Sequence, residues 1–231
     1  MHRHANQGTT TQRCALSSSL PEKPASSKFG SRDYWDTFYQ SSREFSWYSG
    51  WADLAPFIEE VVGREDRILI PGVGNDRAIV DMYDAGFTNM VAFDYAPEGV
   101  RASRALFGED RLAPKGKAKL VVADARALAF PDQSFDAVLE KGTLDAIYLS
   151  GGRDKELGAQ HLQMAVNELA RVLRPRGTLV SITAACVDAV QAAVSTEDWN
   201  VIQDGSIYLT EGGHASNQVD GTLLVWERKI G

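Results

Sequence analysis

Arg67-Ile-Leu-Ile-Pro-Gly-Val-Gly-Asn-Asp76 is the stretch on which the fold turns. Its short apolar run suits a buried strand, and the strand ends where Gly72 and Gly74 allow a tight turn that residues with a Cβ resist. Behind the turn, Ile79, Met82 and Tyr83 fall on one helical face, and Gly86 stops that helix. Strand, glycine turn and helix in that order open a parallel βα unit.

The rest of the chain repeats the unit. Met90-Val-Ala-Phe93 is a second strand, closing at Asp94, and Pro97 opens the next helix where its missing N–H costs nothing. Leu120-Val-Val-Ala123 and Phe135-Asp-Ala-Val-Leu139 are the third and fourth strands, separated by a Pro131-Asp132 turn. A long helix carries Leu162, Ala165, Val166, Leu169, Val172 and Leu173; Arg174-Pro-Arg-Gly177 ends it, and Thr178–Thr183 is a fifth strand. Two more strands are expected around Trp199–Gln203, with Ile207–Thr210 as an extension, and Thr222–Arg228. Ahead of the sheet, Leu54, Phe57, Ile58, Val61 and Val62 make a helix that Gly63 caps. The expected fold is α/β, a seven-stranded sheet with helices on both faces and no second domain.

Size and composition fit one such domain. The chain has 231 residues, 44% hydrophobic and 24% charged, enough to bury a core without disulfides. No apolar run reaches the roughly 20 residues that span a bilayer, so no membrane anchor is expected. A formal charge of −7 argues against nucleic acid as a partner and suits a basic one. Cys14 and Cys186 form no ligand cluster, which reads as a reduced compartment without zinc, hence the cytoplasm. Residues 1–28 are rich in Ser, Thr, Gln and Ala and hold one acid, Glu22. They read as a disordered extension or as a transit-like segment for a mitochondrion or plastid, ahead of a domain over residues 29–231.

Open α/β sheets bind ligands at the carboxyl ends of their strands. Gly72 and Gly74 lie at the first such end, Asp94 at the second, Asp124 at the third, and Glu140 with Lys141 at the fourth. A carboxylate about twenty residues beyond the first glycine is placed to take both hydroxyls of a ribose, and Asp124 to reach an adenine amino group. Nicotinamide enzymes share that pattern, but the third glycine of their fingerprint falls here on Arg77. Asn75-Asp76 also puts a carboxylate where a pyrophosphate needs a bare helix N-terminus. The combination favours S-adenosyl-L-methionine, an adenine nucleoside without phosphates. A second cluster precedes the sheet: Tyr34, Trp35, Phe38 and Tyr39, then Phe45-Ser-Trp-Tyr48. Its rings read as a lid holding a sulfonium by cation–π attraction or as a plug packed on the domain, and both can hold for different rings.

These segments resemble a known family. Phe29-Gly-Ser-Arg-Asp-Tyr-Trp35, Phe45-Ser-Trp-Tyr48, Arg67-Ile-Leu-Ile-Pro-Gly-Val-Gly-Asn75, Ala129-Phe-Pro-Asp-Gln-Ser-Phe-Asp136 and Val138-Leu-Glu-Lys-Gly-Thr-Leu-Asp145 are similar to the methyltransferase-like family. Its members include lysine methyltransferases of elongation factor 1-alpha and a mitochondrial relative acting on citrate synthase. The resemblance implies a Rossmann-like class I methyltransferase sheet. It also implies cofactor contacts from Trp35, Tyr39, Trp47, Gly72, Asp94, Tyr95, Asp124, Ala125 and Lys141. Where the family usually has Gly-Cys-Gly-Asn-Ser, this chain has Gly72-Val-Gly-Asn-Asp76, which keeps both glycines. The likeness fades after Thr183, in the region expected to shape substrate choice.

Glu140 and Asp145 flank the place where an acceptor nitrogen would arrive, and are the candidate catalytic residues. Each has a plainer reading: Asp145 as a helix cap, Glu140 as a partner of Lys141. The acceptor expected is a lysine side chain of a protein, with a translation elongation factor as first candidate. A small-molecule acceptor and a noncatalytic binding module are the competing readings. The segment Leu144–Gly158 discriminates the first two, and Tyr148-Leu-Ser-Gly-Gly-Arg-Asp-Lys-Glu156 reads as an open loop, which favours a large substrate.

Overall fold

The computed structural model describes residues 28–41, 44–194, 197–209 and 221–230, and of residues 204–209 only the backbone. The expected extension, residues 1–27 of it, lies outside the described residues; Lys28 already belongs to a short 3-10 turn, Lys28–Gly30.

Fourteen further elements follow: α1 (Arg32–Ser41), α2 (Trp51–Val61), β1 (Ile68–Pro71), α3 (Arg77–Asp84), β2 (Met90–Asp94), α4 (Pro97–Phe107), β3 (Lys119–Val122), β4 (Phe135–Lys141), α5 (Thr143–Leu149), α6 (Lys155–Val172), β5 (Leu173–Thr183), α7 (Val187–Ala193), β6 (Trp199–Leu209) and β7 (Gly221–Arg228). The seven strands form one sheet in the order β3-β2-β1-β4-β5-β7-β6. The strands from β3 to β5 are parallel, and β7 inserts antiparallel between β5 and β6. Strand order reverses between β1 and β4, so the crevice above their carboxyl ends is where such sheets hold ligands.

Two apolar clusters cover the sheet, because successive strand residues face opposite sides. Ile68, Ile70, Ala92, Leu139 and Val180 meet Leu54, Ile58, Ile79 and Met82 of α2 and α3 on one face. Leu69, Val91, Phe93, Val138 and Leu179 meet Leu162, Val166 and Leu169 of α6 on the other.

Three local expectations are corrected. Gly63 does not cap α2; Val62 does, in extended conformation, its N–H donating to the Ile58 carbonyl. Arg174–Gly177 is no free turn but lies within β5, where the register jumps from Phe135 opposite Leu173 to Ala137 opposite Thr178. Tyr148–Glu156 is not an open loop: it holds the end of α5, a tight turn over residues 150–154 and the start of α6. A Cβ on Gly158 would lie 2.4 Å from the Tyr148 carbonyl oxygen, and one on Gly151 2.3 Å from the Gly158 nitrogen, so these glycines serve close packing.

Candidate active site

A cavity of about 680 Å³ opens above the carboxyl ends of β1, β2, β3 and β4, in the size range of small-molecule sites. Ten of the twelve expected site residues line it: Trp35, Tyr39, Trp47, Gly72, Asp94, Tyr95, Asp124, Ala125, Lys141 and Asp145. Gly74 and Glu140 are not in the lining.

The β1 turn works as its glycines require. Gly72 and Gly74 have φ of +62° and +48°, and a Cβ at either would collide with Thr143 or Tyr39. The space they leave is thus filled partly by the protein's own side chains. Gly74 acts through its N–H, which donates to Asp94 Oδ2 at 3.1 Å; the Ala96 N–H donates to Oδ1 at 2.9 Å. Asp94 is 2% exposed. Burial pushes its carboxyl up to about 6 despite those two hydrogen bonds and a third from the Tyr39 hydroxyl. A buried carboxylate with acceptor capacity left favours a ligand that brings a hydroxyl donor.

Asp124 behaves differently. Its carboxylate lies 2.7 Å from the Arg126 guanidinium in a forked pair and also accepts the Arg126 backbone N–H. Burial would raise this carboxyl, but the Arg126 contacts outweigh it and hold it below the ordinary value. Arg126, four residues past the end of β3, was not singled out from sequence, though its spacing to Asp124 was visible there.

Lys141 lines the cavity, with its charge paired inside the protein. Its ammonium is buried against Asp76 Oδ2 at 2.9 Å and the Ser49 carbonyl at 2.7 Å, which takes up two of its three N–H donors, and it does not pair with Glu140. Asp76 in turn caps α3 through the Ala78 N–H. The helix N-terminus that a pyrophosphate needs is occupied by the protein's own carboxylate.

Glu140 is corrected as a catalytic residue. It is 1% exposed behind the cavity wall, where it accepts the N–H groups of Thr143 and Leu144 and the Ser181 hydroxyl. Burial pushes its carboxyl up to about 8, partly offset by Ser181. Its work is to hold the N-terminus of α5. Asp145 does reach the cavity, but as a saturated group: it accepts from Tyr48 Oη at 2.9 Å, from Thr183 Oγ1 and from the N–H groups of Ala184, Ala185 and Cys186. A carboxylate offers about four lone-pair sites, so none is left to take a proton from a substrate.

The aromatic segment is at once plug and wall. Trp35 and Tyr39 are buried and stacked at 5.6 Å, and the Trp35 Nε1–H donates to the Phe29 carbonyl at 2.7 Å. Both rings also line the cavity, together with Phe29, Phe45 and Trp47. Tyr48, which sequence reasoning quoted only as part of a motif, and His161, which it passed over, line it as well.

Known proteins decide what this cavity belongs to. Residues 69–181 match the methyltransferase domain family. Over those residues the chain carries a methyltransferase domain. EEF1A lysine methyltransferase 4 of Mus musculus is 34% identical over 173 residues, covering 72% of this chain and 65% of that protein. The eEF1A lysine and N-terminal methyltransferase of Bos taurus is 31% identical over 184 residues, covering 77% of this chain and 25% of that protein. The match thus spans less than two thirds of these relatives' lengths. Among solved structures, a SAM-dependent methyltransferase of Methanosarcina mazei has a TM-score of 0.58 at 16% identity, covering 76% of this chain and 98% of that one. The [4+2]-cyclase SpnF reaches 0.63 at 14% identity, covering 90% and 98%. One fold hosts both a methyltransferase and a cyclase, so this likeness carries the fold and not the reaction.

S-adenosyl-L-methionine is the cofactor of the methyltransferase, and the cavity suits it. Asp94 offers a buried carboxylate suited to ribose hydroxyls, Asp124 and Ala125 line the part of the cavity where an adenine would fit, and the rings of Trp35, Tyr39 and Trp47 would suit a sulfonium.

Proposed function

We propose that this methyltransferase transfers a methyl group to a lysine side chain of a protein, with elongation factor 1A as first candidate. The observation that carries the proposal is the 34% identity to a lysine methyltransferase of that factor over 173 residues. When bound, the cofactor supplies an electrophilic methyl, which the acceptor nitrogen's lone pair takes while the C–S electron pair stays on sulfur. The protein's own part is positioning: Asp94 fixes the ribose, the aromatic wall excludes water, and the end of β4 receives the acceptor. With Glu140 buried and Asp145 saturated, the ammonium's proton leaves to solvent rather than to either carboxylate. The net charge of −7 supports a basic partner and a rate that falls as salt rises. The cytoplasm is the proposed compartment.

A small-molecule acceptor is the second reading. It is favoured by the covering of the cavity: Leu149 and Ser150 line it, and Gly30 lies against the Ser150 backbone, so the end of α5 closes over the pocket. Incubating the protein with labelled cofactor and cell extract separates the two. Label in protein, mapped to lysine by mass spectrometry, is the expected result; label confined to metabolites overturns it.

A further inference from the structure

We propose that Tyr48 is the acceptor-binding residue of the site, its phenol oxygen accepting a hydrogen bond from the nitrogen to be methylated. This rests on the amine-acceptor reading above.

Tyr48 has a φ of +67°, in the left-handed region that costs a non-glycine residue about 1–3 kcal/mol and persists where surroundings enforce it. The Ser49 N–H donates back to the Trp47 carbonyl at 2.8 Å, closing a three-residue turn with Tyr48 at its centre. That turn brings the ring to the end of β4. A Cβ on Gly142 would come within 3.0 Å of Tyr48 Cε2 and 3.1 Å of its oxygen, so the residue after β4 is one that leaves room for the phenol.

The direction of the phenol's hydrogen bond is fixed by its partner. Asp145 is surrounded by donors and can only accept, so Tyr48 gives its proton to Oδ2 and keeps its lone pairs. Burial and the Asp145 charge push the phenol's pKa far up, so it stays neutral and acts as an acceptor rather than a base.

Sheet order separates this group from the cofactor carboxylates. Asp94 ends β2 and Asp124 follows β3 by two residues, both on one side of β1; Tyr48 sits on the other, beside Gly142 and Ala185 after β4 and β5. An uncharged acceptor there selects a ligand N–H and turns the nitrogen's own lone pair toward the cofactor end.

The test is Tyr48→Phe in the full chain, assayed on the lysine that the wild type methylates. Expected are a kcat lowered about tenfold or more, KM for the protein acceptor nearly unchanged, and an altered ratio of mono- to higher-methylated product. Affinity for S-adenosylhomocysteine by calorimetry should stay within about twofold of wild type. Wild-type kcat and product ratio in Tyr48→Phe overturn this proposal alone. A loss that merely tracks weaker cofactor binding or a lower melting temperature also overturns it, reducing the phenol to a strut. A wild-type protein that labels no amine overturns the acceptor reading and this proposal together.

Discussion

Asp94 shows how one buried carboxylate ties cofactor binding to pH. Two backbone N–H groups already hold it, yet burial keeps its carboxyl up at about 6. Ribose hydroxyls bind the ionised form, so affinity for S-adenosylhomocysteine should fall as pH drops through about 6. In the free protein the sign is opposite. A raised carboxyl contributes stability that is fully present below the ordinary carboxylate range and is lost as pH rises through about 6. Asp94→Asn should weaken binding by about 2–4 kcal/mol and abolish the acidic fall. Calorimetry between pH 5 and 8 checks both; a flat wild-type profile would contradict the ribose assignment. Asp94 was legible in the sequence because a strand end followed by a carboxylate is a local pattern. The pairing of Lys141 with Asp76 was not, since it depends on where the ends of β1 and β4 meet, whereas the Asp124–Arg126 pair is local and was passed over.

Among the elements, α4 is the one whose sequence is most constrained by the site. Gly99 lies in its first turn, and a Cβ there would be 2.8 Å from Asp94 Cγ and 2.9 Å from Tyr39 Cε2. Helix propensity alone prefers Ala over Gly by roughly 0.5–1 kcal/mol, so the glycine reflects contact rather than helix formation. Gly99→Ala is expected to push Asp94 or Tyr39 aside and lower cofactor affinity about tenfold, with helical content preserved by circular dichroism. Unchanged affinity would mean the junction has slack. Elsewhere the strands were legible because runs such as Ile68–Ile70 and Met90–Phe93 are apolar on both faces, as a covered parallel strand must be. The join between α5 and α6 was misread for an equally physical reason. Glycines and polar residues look alike whether they make a loose loop or let two helices touch, and only the contacts of Gly151 and Gly158 distinguish the cases.

At the scale of the whole molecule, the sheet and its two apolar faces form a scaffold, while the aromatic cluster of α1 sits apart on α4. Sequence left lid and plug as alternatives for each ring. The fold merges them, because the residues that cover the cavity from the N-terminal side have no other core to join. Trp35 stacks on Tyr39, meets Phe29 and Trp47 at ring distances of 6.0 and 5.8 Å, and still lines the cavity. Stability and cofactor binding should therefore fall together when it is removed. Trp35→Ala is expected to lose about 3–5 kcal/mol of unfolding free energy, as deletion of a buried aromatic does. It should also bind S-adenosylhomocysteine about tenfold more weakly. Ligand at a hundred times the wild-type Kd stabilises the wild type by about 2.7 kcal/mol, and at that same concentration the variant should gain less, by about 1.3 kcal/mol. Denaturant titrations with and without ligand read both quantities from one preparation. A destabilised variant with the full ligand-induced gain would make Trp35 a plug only. A variant of wild-type stability that has lost the gain would make it a lid only.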